Sequence, residues 1–170
     1  GSGFYNSKCG NITISGGVVN AQSIDNAAGI GSGHYNSSCG TITISGGVVN
    51  AQSGSSGAGI GSGFISDCGT ITISGGVVNA QGGSKAAGIG SGFTSSCGAV
   101  TITGGYVCAK GGENAQPIGE GFNSSEMTVD TASCVTVVKN GSTYLNYEPL
   151  AKTEPDCVTN GTKAYYKDYV

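Results

Sequence analysis

Cysteine thiols are the groups in this sequence best suited to chemistry, and four of them recur at a regular interval. Cys9, Cys39, Cys68 and Cys97 are spaced by 30, 29 and 29 residues. If the repeats stack as parallel strands, equivalent Cα atoms lie ~4.8 Å apart, which is inside the range for a disulfide. The column can therefore be a stack of buried thiols, a set of disulfides or a metal site. The metal site fits poorly because a linear column lacks tetrahedral convergence and no Cys-x-x-Cys occurs, so we predict no metal and no cofactor.

The remaining cysteines lie towards the C-terminus. Seven is an odd number, so at least one thiol is unpaired within this chain. Cys108 replaces Asn79 of the preceding repeat at an outward position, which makes it the better candidate for a bridge to the C-terminal segment. The disulfide candidates are Cys9, Cys39, Cys68, Cys97, Cys108, Cys134 and Cys157.

Acid–base and nucleophilic catalysis are not expected. Residues 1–112 contain only two acids, Asp25 and Asp67, on different turns, whereas glycosidases and lyases need clustered carboxylates. The single histidine, His34, occupies a position where other repeats have Phe, so we interpret it as a structural substitute. The sequence therefore predicts a protein that is not an enzyme.

Composition excludes two further classes. The 170 residues include 33 Gly, and all 7 basic residues are Lys. A net charge of −3 without Arg gives no field for phosphate binding, so we expect no nucleic-acid partner. No apolar run approaches the ~18 residues needed to cross a bilayer, so we expect no membrane insertion.

An internal repeat of about 29 residues determines the predicted fold. In one copy, residues 41–45 alternate with period two, Gly46 and Gly47 end that strand, and 48–52 and 58–61 read as two more strands. Three strands and three turns in about 29 residues predict an all-β, right-handed parallel β-helix (β-solenoid) with three-sided rungs. Residues 1–122 form about four rungs plus a degenerate fifth, and 123–170 form a short C-terminal β cap, the start of a further module.

Comparison of the copies predicts which columns of residues face the core. Positions that change only between small apolar residues are predicted to be buried, and a further column of rings is predicted at one corner. The core columns are Ile12, Ile42, Ile71 and Val100; Ile14, Ile44, Ile73 and Ile102; Val19, Val49, Val78 and Val107; Ala21, Ala51, Ala80 and Ala109; and Ile30, Ile60, Ile89 and Ile118. The ring column is Phe4, His34, Phe64, Phe93 and Phe122.

The outward threonines are the predicted binding face. In a stacked sheet their hydroxyls recur ~7 Å apart along a strand and ~4.8 Å apart between rungs, a regular array of the kind expected for ice binding. Only two rungs contain the full Thr-x-Thr pair, since Asn11 and Ala99 interrupt the outer column. The candidate binding residues are Thr13, Thr41, Thr43, Thr70, Thr72 and Thr101.

Tyrosines of the C-terminal segment are a second candidate. They can stack on sugars or pack over the last rung, and both alternatives stay open. The residues are Tyr144, Tyr147, Tyr165 and Tyr166.

Two stretches carry a family likeness. The Ala-Gly-Ile-Gly-Ser-Gly and Cys-Gly-Thr-Ile-Thr-Ile-Ser-Gly-Gly-Val-Val-Asn-Ala units of residues 1–122 resemble Gly-rich repeats of large secreted and surface proteins of anaerobic gut bacteria. Residues 151–167 resemble a Cys-Thr-x-x-Gly-x-x-x-Tyr-Tyr module of Clostridia-type surface proteins, which usually continues into a Cys-x-x-Cys-Gly segment. The likeness implies an extracellular or cell-surface location, neighbouring adhesion or carbohydrate-binding modules, and a lost partner for Cys157.

These observations predict a non-catalytic, extracellular structural and adhesion module, with polysaccharide or a cell-surface glycan as its partner on a flat solenoid face. Ice binding through the threonine columns is one alternative. A self-assembling fibre or stalk subunit is another, because the sequence begins in mid-repeat and an uncapped solenoid end presents unpaired backbone groups for end-to-end association.

Overall fold

The computed structural model describes residues 3–131, 135–139 and 142–146, and every regular element in them is a β-strand. The strands are β1 Lys8–Cys9, β2 Ile12–Ile14, β3 Val18–Ser23, β4 Ile30–Gly31, β5 Ser38–Cys39, β6 Ile42–Ile44, β7 Val48–Ser53, β8 Ile60–Gly61, β9 Asp67–Cys68, β10 Ile71–Gln81, β11 Ile89–Gly90, β12 Ser96–Cys97, β13 Val100–Lys110, β14 Ile118–Gly119, β15 Val129–Thr131, β16 Val135–Lys139 and β17 Ser142–Asn146.

The strands stack into a parallel β-solenoid of about four rungs, with ~29 residues per rung, as predicted. Rung 1 comprises β1–β4, rung 2 β5–β8, rung 3 β9–β11 and rung 4 β12–β14. Three sheets run along the solenoid: a cysteine sheet of β1, β5, β9 and β12, a glycine sheet of β4, β8, β11 and β14, and a broad sheet containing the rest. Equivalent residues of successive repeats lie opposite each other, as in the pairing of Ile42 with Ile71. The right-handed sense of the coil stays a prediction.

The strand count per rung differs from the prediction in two ways. Each rung has an additional two-residue strand at its cysteine, which was too short to show any alternation. The Gly-Gly step also does not always end a strand, since β10 and β13 continue through it with a shift of register. The second glycine of the step, Gly76, has a left-handed backbone with φ of +87°, and the register shift at this step is a β-bulge through which β10 continues.

The core consists of the predicted columns. Ile42, Ile71 and Val49 are fully buried, and they belong to one continuous cluster with their equivalents in the other rungs. Ile12 and Val19 of rung 1 are only half-buried because that rung has a described neighbour on one side alone. Stacking of rungs, rather than any single rung, therefore creates the buried interior.

One column of glycines permits a close approach between successive rungs. Gly31, Gly61, Gly90 and Gly119 have φ between +130° and +137°. A Cβ atom built on Gly61 would overlap the carbonyl oxygen of Gly90 in the next rung. Only glycine satisfies both the backbone angle and the close approach at this column.

The corner before the cysteine sheet explains the unequal spacing of the repeats. In rung 2 two successive residues, Tyr35 and Asn36, adopt left-handed backbone angles with φ of +50°. In rung 3 the corner is one residue shorter and only Ile65, at φ +48°, is left-handed. The 30-residue and 29-residue intervals are therefore two versions of the same corner.

The broad sheet continues beyond rung 4. β15 and β16 pair in parallel with β13, and β17 pairs antiparallel with β16. The assignment of residues 123–170 to a separate capping segment stays a prediction, because most of the residues after 131 lie outside the described ranges. Among the described residues no helix has the length and apolar character that a membrane crossing would require.

Candidate functional site

Four of the six predicted threonines form one line across the broad sheet. Thr13, Thr43, Thr72 and Thr101 pair in register on β2, β6, β10 and β13, and their side chains are exposed or half-buried. We call this line the threonine column. Thr41 and Thr70 immediately precede β6 and β10 and are exposed, and the Thr41 amide donates a hydrogen bond to Oδ1 of Asn11, 3.0 Å away. The structure therefore brings four of the candidates together in the threonine column. The other two, Thr41 and Thr70, lie beside this column in rungs 2 and 3.

A second outward surface lies on the same sheet beyond the Gly-Gly step, and the prediction of binding residues missed it. In β7 the side chains of Val49 and Ala51 are buried, whereas Val48, Asn50 and Gln52 point outward. The same alternation in β3 and β10 produces three parallel outward columns. We call these columns the amide face: Asn20, Asn50 and Asn79; Gln22, Gln52 and Gln81; and the flanking Val18, Val48 and Val77.

The asparagines of the amide face are tied into a ladder. Nδ2 of Asn50 donates to Oδ1 of Asn20, and Nδ2 of Asn79 donates to Oδ1 of Asn50, both at 2.8 Å. Every amide consequently points the same way along the solenoid axis. The ladder ends at rung 4, where Cys108 lies opposite Asn79.

A shallow groove of about 510 Å³ runs along this surface between the asparagine and glutamine columns. Its walls are neutral amides for three rungs, and Lys110 in rung 4 is the one charged residue among its lining residues. The Gln52 and Gln81 side chains are exposed. Over rungs 1 to 3 the groove thus offers repeated hydrogen-bond donors and acceptors without charge.

The four in-register cysteines form a thiol column in the cysteine sheet, and Cys9 at its end is half-buried. Cys39, Cys68 and Cys97 are buried, and Sγ of Cys39 donates to the carbonyl oxygen of Gly10, 3.7 Å away. A hydrogen bond with the Cys68 thiol, together with burial, raises the pKa of the Cys39 thiol far above its ordinary value. The Cys39 thiol is therefore protonated near neutral pH and is a poor nucleophile.

The five described cysteines are free thiols in this structure, and Cys134 and Cys157 lie outside the described residues. In-register strands also place equivalent Cβ atoms ~4.8 Å apart, whereas a disulfide requires ~3.5–4.5 Å. A bridge within the column would thus require the rungs to shift, which favours the thiol alternative. Cys108 lies opposite Val138 of β16, so its proposed bridge to the C-terminal segment stays a prediction.

The ring column at the corner is a packing device. The His34 ring centroid lies 4.8 Å from that of Phe4 and 5.3 Å from that of Phe64, and Phe64 and Phe93 stack at 5.2 Å. His34 is 8% exposed, and neither ring nitrogen has a hydrogen-bond partner. Its interpretation as a substitute for Phe agrees with this environment.

The tyrosine candidates fall almost wholly outside the described residues. Tyr144 is on β17, opposite Val137, whereas Tyr147, Tyr165 and Tyr166 lie in the ranges that the structure does not describe. Their role as a sugar-stacking platform stays a prediction.

Comparison with known proteins finds a similarity over three of the repeats. Residues 12–34, 42–64 and 71–93 match the model of the Beta helix repeat family. Each matched segment begins at the first residue of β2, β6 or β10 and therefore includes one rung of both the threonine column and the amide face. No curated protein and no solved structure matches the chain.

Proposed function

We propose that this chain of β-solenoid repeats of the Beta helix repeat family is a non-catalytic structural and adhesion module that acts outside the cell and binds carbohydrate along its outward broad sheet. One observation carries the proposal. The broad sheet presents the same uncharged hydrogen-bonding side chains in register on successive rungs, as in the pairing of Thr43 with Thr72 and of Asn50 with Asn79. A surface that repeats along one axis is complementary to a ligand that also repeats.

The absence of catalysis is supported by where the reactive groups lie. Asp25 follows β3 and Asp67 lies in the cysteine sheet, so they are on different sides of the solenoid. His34 is buried among rings, and Cys39 is buried with the pKa of its thiol raised. Within residues 3–112 the two carboxylates therefore do not belong to one element, whereas hydrolysis of a glycosidic bond uses a pair that flanks it.

The extracellular location is supported by the likeness of the repeats and of residues 151–167 to bacterial surface proteins. Labelling of intact source cells with an antibody against the chain tests it. Signal on intact cells is expected, and signal only after lysis would contradict the proposed location.

A sedimentation assay tests the binding function. The full chain is mixed with insoluble cellulose, chitin, xylan and mucin, and depletion of the protein from the supernatant is measured against a β-rich protein of unrelated sequence. We expect depletion by at least one polymer, saturable and reversed by soluble fragments of that polymer. Depletion no greater than that of the control for every polymer would refute carbohydrate binding and leave a spacer.

Ice binding is a second candidate, favoured by the unbroken in-register threonine column. Its hydroxyls are spaced by the rung repeat of ~4.8 Å over four rungs. Thermal hysteresis and faceted ice crystals are expected if the column binds ice, and replacement of Thr43 and Thr72 by Val or Ser separates a methyl from a hydroxyl contribution. A freezing point equal to the melting point would remove this candidate.

A further inference from the structure

We infer that the groove of the amide face, rather than the threonine column, is the carbohydrate site, and that its ligand is an uncharged polysaccharide chain lying along the solenoid axis across rungs 1 to 3. This inference rests on the proposed function and adds to it the surface, the charge class of the ligand and the length of the site.

The spacing of the ladder restricts the repeat length of a polymer that can bind along the axis. A chain that lies along the axis meets an equivalent amide every ~4.8 Å. An extended polypeptide repeats its hydrogen-bonding groups every ~6.6–6.8 Å per two residues and falls out of step within a few rungs. For the polysaccharide of the proposed function, the amide face therefore requires hydroxyl-bearing units that recur near the rung spacing.

The ladder also holds its amides ready for a ligand. An Asn side chain has two N–H donors and an oxygen with two lone pairs, and the ladder uses one donor and one lone pair of Asn50. The second donor and the second lone pair remain for a hydroxyl group, which can both accept and donate. Because the amide orientation is already fixed by its neighbours, binding loses little further side-chain entropy.

Charge and apolar surface narrow the ligand further. Within rungs 1 to 3 the groove is lined by amides and alanines, so it attracts neither an acidic polymer nor a basic one by long-range electrostatics. Val18 and Val48 are exposed beside the asparagines, at 69% and 37%. Adjacent methyl and amide groups match a ligand that carries C–H and O–H groups side by side.

Rung 4 ends the site. The three outward columns change together there, since Tyr106 lies opposite Val77, Cys108 opposite Asn79 and Lys110 opposite Gln81. The inward neighbours Val107 and Ala109 keep the core pattern. Affinity should consequently increase with oligosaccharide length until the three amide rungs are covered and then level off.

Two matched double variants separate the two surfaces. Gln52→Leu with Gln81→Leu removes two amides from the groove with little change of shape, and Thr43→Val with Thr72→Val removes two hydroxyls from the threonine column in the same rungs. All four residues are exposed or half-buried, so folding is checked by circular dichroism and a urea melt before binding is compared. The probes are cellulose, chitin and xylan as neutral polymers and polygalacturonate as the acidic one.

We expect the glutamine variant to bind the neutral polymer about tenfold more weakly, from the loss of two hydrogen bonds, and the threonine variant to bind it as the unmodified chain does. Loss of binding in the threonine variant alone would overturn the assignment to the amide face, and preference for polygalacturonate would overturn the uncharged class of the ligand. Either result would leave carbohydrate binding intact. Failure of the unmodified chain to bind any of the polymers would refute the proposed function itself.

Discussion

Replacement of His34 by Phe should make the protein more stable, although the site is buried. His34 is the single member of the ring column that carries polar nitrogens, and both are buried without a hydrogen-bond partner. A buried donor or acceptor that lacks a partner costs ~1–3 kcal/mol. The Phe side chain has no such group, so His34→Phe removes that cost.

The geometry of the column indicates that Phe fits. His34 and Phe64 are separated by 5.3 Å between ring centroids, and Phe64 and Phe93 by 5.2 Å. A ring of Phe size is accommodated at this spacing in rung 3, and in rung 2 it would also contact the ring of Tyr35, whose centroid lies 4.3 Å from that of His34. We expect an increase of about 1–2 kcal/mol in the free energy of unfolding, towards the lower end if the larger ring forces small shifts.

Urea unfolding of the full chain, followed by far-ultraviolet circular dichroism and by intrinsic Tyr fluorescence, measures this change. Coincidence of the two transitions establishes that a single free energy applies, which repeat proteins do not always satisfy. The reciprocal variant Phe64→His serves as the control and should lose stability, because it replaces an apolar ring that stacks on Phe93 by an imidazole. Equal or lower stability of His34→Phe would show that the imidazole makes a favourable interaction and would refute the argument.

Three further predictions use the same unfolding assay. Gly61→Ala should lose about 2 kcal/mol or more, because its φ is +136° and a Cβ would overlap the next rung, whereas Gly10→Ala, in open space, should change stability by less than ~0.5 kcal/mol. Ile65→Asn should gain about 0.5–1 kcal/mol, because Asn tolerates the left-handed backbone better than a β-branched residue, and Ile65→Val should gain nothing. Because the Cys39 thiol pKa is raised in the folded state, its stabilising contribution is complete below the unfolded thiol pKa of ~8.5 and is lost as pH rises above it. Stability should fall more steeply above pH ~8.5 in the unmodified chain than in Cys39→Ala, by up to ~1.4 kcal/mol per pH unit, and equal slopes would contradict the raised pKa.

The fold was predictable because the chain contains several copies of one repeat, and comparison of equivalent positions shows which of them tolerate only apolar residues. Ile42, Ile71 and Val100 show by their narrow variation that they share an apolar environment, and all three are fully buried. Local backbone detail was not predictable in the same way. The spacing of the cysteines shows that the corner at Asn36 is one residue longer than the corner at Ile65. The left-handed backbone angles of these residues are not visible in the sequence, because they depend on how the chain turns between two sheets.

The candidate site was only half predictable for a related reason. The alternation of the strand predicts that Asn50 and Gln52 face outward, but the prediction of binding residues rested on hydroxyl groups and therefore included only the threonines. The hydrogen bonds from Asn50 to Asn20 and from Asn79 to Asn50 exist only because identical residues lie opposite each other in adjacent rungs. A contact between copies 29 or 30 residues apart has no signature within any single copy.

The arrangement separates the requirements of stability from those of binding. Stacking requires the inward residues, and a slip of one residue would exchange the inward Val78 for the outward Asn79. The outward residues are not held by that requirement, as rung 4 demonstrates: Tyr106 and Lys110 replace Val and Gln while the inward Val107 remains fully buried. The register that the core enforces therefore also fixes the spacing of the outward side chains. Changes in the outward columns can alter the ligand without altering the solenoid.

The triple variant Tyr106→Val, Cys108→Asn and Lys110→Gln should therefore extend the amide face into rung 4. We expect the affinity to reach its plateau at a longer oligosaccharide than in the unmodified chain. An unchanged plateau would show that the ladder does not set the length of the site.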